Sequence, residues 1–114
     1  MPHFVIDCSE SILEHYSEAY ILEQIHVLAN SSGLFNEKDI KVRMNPFSTY
    51  LVANQREDFI HIFSHIMQGR TTEQKAALSR LLVTRLIELF PGFSHITMNV
   101  AEFEKATYCN RNTM

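Results

Sequence analysis

Apolar and polar residues alternate in four stretches of the chain and recur at helical spacing in two others. From His3 to Cys8, Phe4, Ile6 and Cys8 fall on one side and His3, Val5 and Asp7 on the other, the two-residue period of a strand. Ile40, Val42 and Met44 alternate with Lys41, Arg43 and Asn45 as far as Pro46, which is expected to end or bend this second strand by removing a ladder donor. Between Phe59 and Met67, Ile60, Ile62, Ser64 and Ile66 alternate with Phe59, His61, Phe63 and His65, predicting a third strand covered on both faces. A fourth follows where Ile96, Met98 and Val100 alternate with His95, Thr97 and Asn99, ahead of a short tail containing Tyr108.

Two stretches follow the helical period instead. Ile21, Ile25, Leu28 and Ala29 share one face of a segment from about Ser17 to Ser32, and Gly33 stands where a left-handed C-terminal cap belongs. After the turn Gly69-Arg70-Thr71, Thr71 and Gln74 form a capping-box pattern that opens a helix through Leu78, Leu81, Leu82, Leu86 and Phe90, closed by Pro91-Gly92.

The order is βαββαβ, an α+β fold in which one strand-helix-strand unit occurs twice. We expect a single domain over residues 1–114, with one repeat at about 2–53 and the other at about 58–108. Right-handed crossovers would put both helices on one face of a shared four-stranded sheet. The same order also describes a ferredoxin-like fold, which would assemble as a dimer. Ile, Phe and Val are too frequent in the strands for two helices to cover both faces, which predicts self-association.

Composition narrows the functional classes. The chain has 114 residues, 13 acidic residues against 10 Lys plus Arg, a formal charge of −3 and 46% hydrophobic content, which excludes disorder as the main state. Without a basic cluster, nucleic-acid binding is not expected. No apolar run reaches the roughly 20 residues of a membrane span and no signal-peptide pattern opens the chain, so the expected location is cytoplasmic. Cys8 and Cys109 read as two reduced, partly buried thiols. His61 and His65 would stand roughly 13 Å apart along a strand, which argues against a metal site. No phosphate-cradling glycine loop or G-x-S-x-G motif is present.

The segment Gly69-Arg70-Thr71-Thr72-Glu73-Gln74-Lys75 resembles the G-R-[ST]-x-E-Q-K segment of the 4-oxalocrotonate tautomerase family. The first half opens Met1-Pro2-His3-Phe4 and runs through Cys8-Ser9, Gly33-Leu34-Phe35 and Ile40-Lys41-Val42-Arg43. It is similar to the 5-carboxymethyl-2-hydroxymuconate isomerases of the same superfamily, and the likeness covers nearly the whole chain.

The resemblance implies a cofactor-free isomerase that converts a 2-hydroxydienoate bearing several carboxylates to its 2-oxo-ene form, in homoprotocatechuate breakdown. Its general base and acid would be the amine of Pro2, freed by removal of Met1, with its pKa lowered by nearby cations and apolar walls. Arg70, Arg43 and Lys41 would hold the carboxylates, Lys41 standing where relatives tend to carry arginine and so lacking the bidentate fork. Tyr108 falls where single-repeat relatives place an aromatic wall. Aligned by sequence, Ile60 takes the slot of Pro2 and Ile12 that of Arg70. The implied homotrimer would then have three working sites rather than six.

From the residues alone, Arg70 could equally be a solvated loop arginine, Lys41 and Arg43 surface charges, and Tyr108 interface packing. Other outcomes of the resemblance are an arylpyruvate tautomerase, a haloacrylate dehalogenase, or a non-catalytic trimer that binds small acids or proteins.

Overall fold

The computed structural model describes residues 1–114. Its strands are β1 (His3–Ser9), β2 (Lys41–Phe47), β3 (Phe59–Met67) and β4 (His95–Phe103), and its helices are α1 (Glu18–Ser31) and α2 (Thr72–Leu89). The sheet order is β2-β1-β3-β4. β1 is parallel to β2 and β3 to β4, whereas β1 and β3 meet antiparallel with His3 opposite His65 and Cys8 opposite Ile60. The two strands of each unit are therefore direct neighbours. A ferredoxin-like sheet, whose helix-linked strands are split by a third, is excluded.

The helix ends follow their sequence signals. The Ser17 side chain accepts from the Tyr20 amide, and Thr71 and Gln74 close a complete capping box. Gly33 (φ +73°) follows α1 and Gly69 (φ +118°) follows β3, both in the region that favours glycine.

Both helices cover the same sheet face. Phe4, Ile6 and Cys8 of β1 and Ile60 and Ile62 of β3 form one core with Ile21, Ile25 and Ala29 of α1 and Leu78, Leu82 and Leu86 of α2. The opposite face is bare in the protomer: Phe63 is 38% exposed, with Val5 and Asn99 opposite it on the neighbouring strands and His61 packed against its ring. The expected cover on both faces of β3 is thus absent from a single chain, because both crossovers lie on one side.

Three other expectations need correction. Pro46 neither ends nor leaves β2, which runs on to Phe47 with Pro46 opposite Cys8; β2 is an edge strand, where a missing N–H is tolerated. A short 3-10 turn, Glu10–Glu14, lies between β1 and α1. Counted from the helix caps Ser17 and Thr71, the counterpart of Arg70 is therefore Tyr16 rather than Ile12, and Ile12 is fully buried. The two cysteines are both free but differ in setting: Cys8 is buried and Cys109 exposed. Burial, more than the neighbouring Asp7 and Glu18, pushes the Cys8 thiol up to about 12.

The turn is anchored to the second repeat. The Ser9 hydroxyl donates to Asp58 Oδ1 (3.2 Å) and accepts from the Phe59 amide (3.3 Å), and the Ser11 hydroxyl also donates to Asp58. No helix is long and apolar enough to cross a membrane.

Leu82, fully buried between α2 and the sheet, should dominate the response to truncation. Leu82→Ala is expected to cost about 2–5 kcal/mol, and Thr71→Ala, which removes the cap, about 1 kcal/mol. Urea unfolding at fixed protein concentration, with both midpoints lowered in that order, is the check.

Candidate active site

The N-terminal end of β1 is central in the sheet, so its neighbours converge on the first residues. Lys41 begins β2 and its amide donates to the Pro2 carbonyl (3.1 Å). On the other side β3 ends at Met67, and the chain returns at the end of β4, where the Gln68 amide donates to the Phe103 carbonyl (3.2 Å) and the Lys105 amide to Gln68 Oε1 (2.6 Å). These bonds fold the tail back over the start of the chain. A cleft of about 420 Å³ results, lined by Met1, Asp39, Lys41, Met67, Tyr108, Asn110, Arg111 and Asn112.

The electrostatics of this cleft run against those of the whole chain. It holds the terminal amine, Lys41 and Arg111 against the single carboxylate of Asp39. The terminal amine donates to the Asp39 carbonyl (3.3 Å), and Lys41 Nζ donates to the same oxygen (2.7 Å). The amine pKa lies below its ordinary 8.0, first because of partial burial and then because of Lys41 acting by hydrogen bond and charge, against an opposing pull from Asp39. With Met1 in place the nitrogen of Pro2 is an amide, and Pro2 is buried.

The expected site residues divide into three groups. Lys41 and Tyr108 line the cleft, where the Tyr108 ring packs on Phe103 at 5.8 Å between centroids, whereas Pro2 is buried beside it and bonded through its carbonyl to the Lys41 amide. Arg43 lies two residues further along β2 on the bare face, and its Nη1 donates to His3 Nδ1 (3.1 Å). Arg70 lies towards the helix layer, where it donates to the Leu34 carbonyl and its guanidinium sits 5.6 Å from the Phe35 ring centroid. Phe35 in turn packs edge-on against Phe4, 5.9 Å between centroids. Within one chain, Arg43 and Arg70 thus flank the sheet end from opposite sides and do not line the cleft. Ile60, the predicted counterpart of Pro2, is buried inside β3.

The sequence reading missed Arg111, Asn110, Asn112 and the His3 cluster. A signal for the tail was available: Asn110 and Thr113 have the spacing of a capping box, and both reciprocal bonds form. On the bare face the His3 ring packs edge-on against Phe103 (6.0 Å), which also contacts His65 (5.7 Å). An arginine can only donate, so its bond to His3 Nδ1 requires that nitrogen to be unprotonated. The pKa of His3 is accordingly lowered, chiefly by burial and next by the charges of Arg43 and Lys41.

A family model for 5-carboxymethyl-2-hydroxymuconate isomerase matches residues 2–114. The 5-carboxymethyl-2-hydroxymuconate Delta-isomerase of Escherichia coli is 23% identical over 106 residues, covering 91% of this chain and 84% of that protein. The crystal structure of a 5-carboxymethyl-2-hydroxymuconate isomerase from Deinococcus radiodurans R1 superimposes with a TM-score of 0.83 at 19% identity, covering 96% of this chain and 88% of that one. N1, a member of the cis-3-chloroacrylic acid dehalogenase family, gives 0.80 at 14% identity over 96% and 80%. A fused 4-OT symmetric trimer gives 0.81 at 13% over 98% and 94%. At these identities the structural likenesses establish the tautomerase-like fold.

The His3 contact can be tested by NMR titration. The His3 midpoint should lie below 6.5, and Arg43→Gln should raise it part of the way back, because a removed cation favours the imidazolium while burial still opposes it. A midpoint that the substitution leaves in place contradicts the contact.

Proposed function

Because the chain belongs to the 5-carboxymethyl-2-hydroxymuconate isomerase family, we propose that this isomerase acts on a 2-hydroxydienoate di- or tricarboxylate, using Pro2 as general base and acid once Met1 is removed. Its substrate would be 5-carboxymethyl-2-hydroxymuconate, in homoprotocatechuate catabolism in the cytoplasm. The observation that carries this reading is the cationic cleft at the chain start, where Lys41 and Arg111 outnumber the one carboxylate, Asp39.

The neutral prolyl nitrogen takes the proton of the 2-hydroxyl. The O–H electron pair becomes the 2-oxo π bond, the double bonds shift by one position, and the prolyl ammonium returns the proton to the carbon at the far end of the diene. Atoms and charge balance without a cofactor. Lys41 holds a carboxylate near the amine and keeps the amine neutral by its charge, and Tyr108 supplies a wall. In a homotrimer, the bare sheet faces are covered and Arg70 and Arg43 reach the cleft of a neighbouring subunit, where they stabilise charge developing on the substrate. This places the Arg70 and Arg43 chemistry at an interface, in keeping with their position outside the cleft of their own chain.

Two measurements decide the matter. Intact mass should show the active protein lacking Met1, and Pro2→Ala should lose about 10²-fold or more of kcat/KM while sedimenting as the wild type does. The base must be neutral to act, so kcat/KM should rise with pH as the prolyl amine loses its proton. Full activity with Met1 retained rules out the Pro2 mechanism, and no turnover of any dienol favours a binding trimer; turnover confined to arylpyruvates or haloacrylates instead assigns the site to a related tautomerase or dehalogenase.

A further inference from the structure

Four of the six arginines of this chain are engaged internally. Arg43 bonds His3, Arg56 the Ser48 carbonyl, Arg70 the Leu34 carbonyl, and Arg85 the Gln24 side chain. Arg80 and Arg111 make no side-chain hydrogen bond or ion pair within the chain; Arg80 lies on the outer face of α2 and Arg111 lines the N-terminal cleft. An unpaired guanidinium keeps its whole donor fork for a ligand.

The segment that presents Arg111 is held at both ends. Asn110 Oδ1 accepts from the amides of Asn112 (2.9 Å) and Thr113 (3.1 Å), while the Asn110 amide donates to the Thr113 hydroxyl (3.1 Å). Upstream, the Tyr108 amide donates to the Glu104 carbonyl (3.1 Å) and the Lys105 amide to Gln68. The tail backbone is therefore held where it lines the cleft together with Lys41. Lys41 Nζ spends one donor on the Asp39 carbonyl and has two left.

Two cations that line one polar cleft with a single carboxylate suit a ligand with two separated anionic groups. A monocarboxylate would satisfy only one of them. We infer that Arg111 is a specificity-determining residue whose guanidinium binds the carboxylate remote from the reacting hydroxyl, giving this enzyme its preference for di- and tricarboxylate dienols over monocarboxylate ones. The inference rests on the proposed function for its substrate class, whereas the binding geometry it uses does not depend on turnover. A planar fork matches a carboxylate in a bidentate manner and supplies the geometry that Lys41, a point charge, lacks.

The test compares wild type, Arg111→Gln and Arg80→Gln. Arg80→Gln removes the same charge from α2, outside the cleft, and so separates contact from long-range attraction. The readout is the ratio of kcat/KM for 2-hydroxymuconate, a dicarboxylate, to that for 2-hydroxy-2,4-pentadienoate, a monocarboxylate. Arg111→Gln should lower this ratio about tenfold or more, mainly through KM for the dicarboxylate, and Arg80→Gln should leave it at the wild-type value. In parallel, glutarate, an unreactive dicarboxylate, is titrated into each protein and followed by NMR, with butyrate as control.

An unchanged ratio in an active Arg111→Gln enzyme overturns the inference, as does an equal fall in Arg80→Gln. If wild type turns over neither dienol nor 5-carboxymethyl-2-hydroxymuconate, the proposed function fails separately. The inference then stands on glutarate binding weakened about tenfold in Arg111→Gln alone, and falls if the three proteins bind glutarate equally.

Discussion

The position of β1 in the middle of the sheet is the constraint from which the rest of the molecule follows. It pairs in parallel with β2 and antiparallel with β3. The parallel partner brings Lys41 beside the first residues. The antiparallel partner brings the end of β3 there, and with it the end of β4 and the tail. Four distant parts of the sequence meet at one sheet end because a single strand joins two strand-helix-strand units. The antiparallel contact is also what makes the repeat two-fold: each unit buries its helix on the same face, and neither completes a core without the other.

The period of two then sorts chemistry by parity. Even-numbered residues of β1 and β3 enter the core, and odd-numbered ones, including His3, Asp7, His61 and His65, face away from the helices. The bare face is polar and partly satisfied within the chain: Asn45 donates to Asp7 (3.1 Å), and His61 bonds Thr97 (2.6 Å) and Asn99 (2.7 Å). These bonds use up both His61 nitrogens. Phe63, exposed among them, is the apolar surface that gives a neighbouring copy something to bury.

Periodicity and caps made the elements legible, since each strand shows its alternation and each helix its cap residues in adjacent positions. Local signals of this kind depend on few residues. The break in the repeat was illegible for the opposite reason: the turn Glu10–Glu14 has no marked pattern, and only its anchoring to Asp58 in the other half fixes it. Pro46 was misread because a proline's cost depends on whether its strand is an edge, which sheet order decides. At the site, Lys41 was legible by its position on β2 and Tyr108 by resemblance. Arg111 was not, because its place depends on a tail folding back across the sheet end, a contact between residues more than a hundred positions apart.

The distribution of cations also leaves a locally cationic cleft on an acidic chain, which is what the proposed acidic ligand would require. Long-range attraction from a net charge of −3 is unfavourable to an anion, and salt screens it beyond roughly 10 Å. What decides binding is the local balance inside the cleft, where three cationic groups face one carboxylate. Burial first, and Lys41 next, depress the basicity of the terminal amine against the pull of Asp39. A ligand carboxylate that entered would offset part of that depression, since a negative charge near an amine favours its protonated form. In the mechanism proposed above, proton uptake by the prolyl amine would be coupled to the presence of the anion, and an anion held on cations displaced from the amine would raise its basicity less than one placed directly against it.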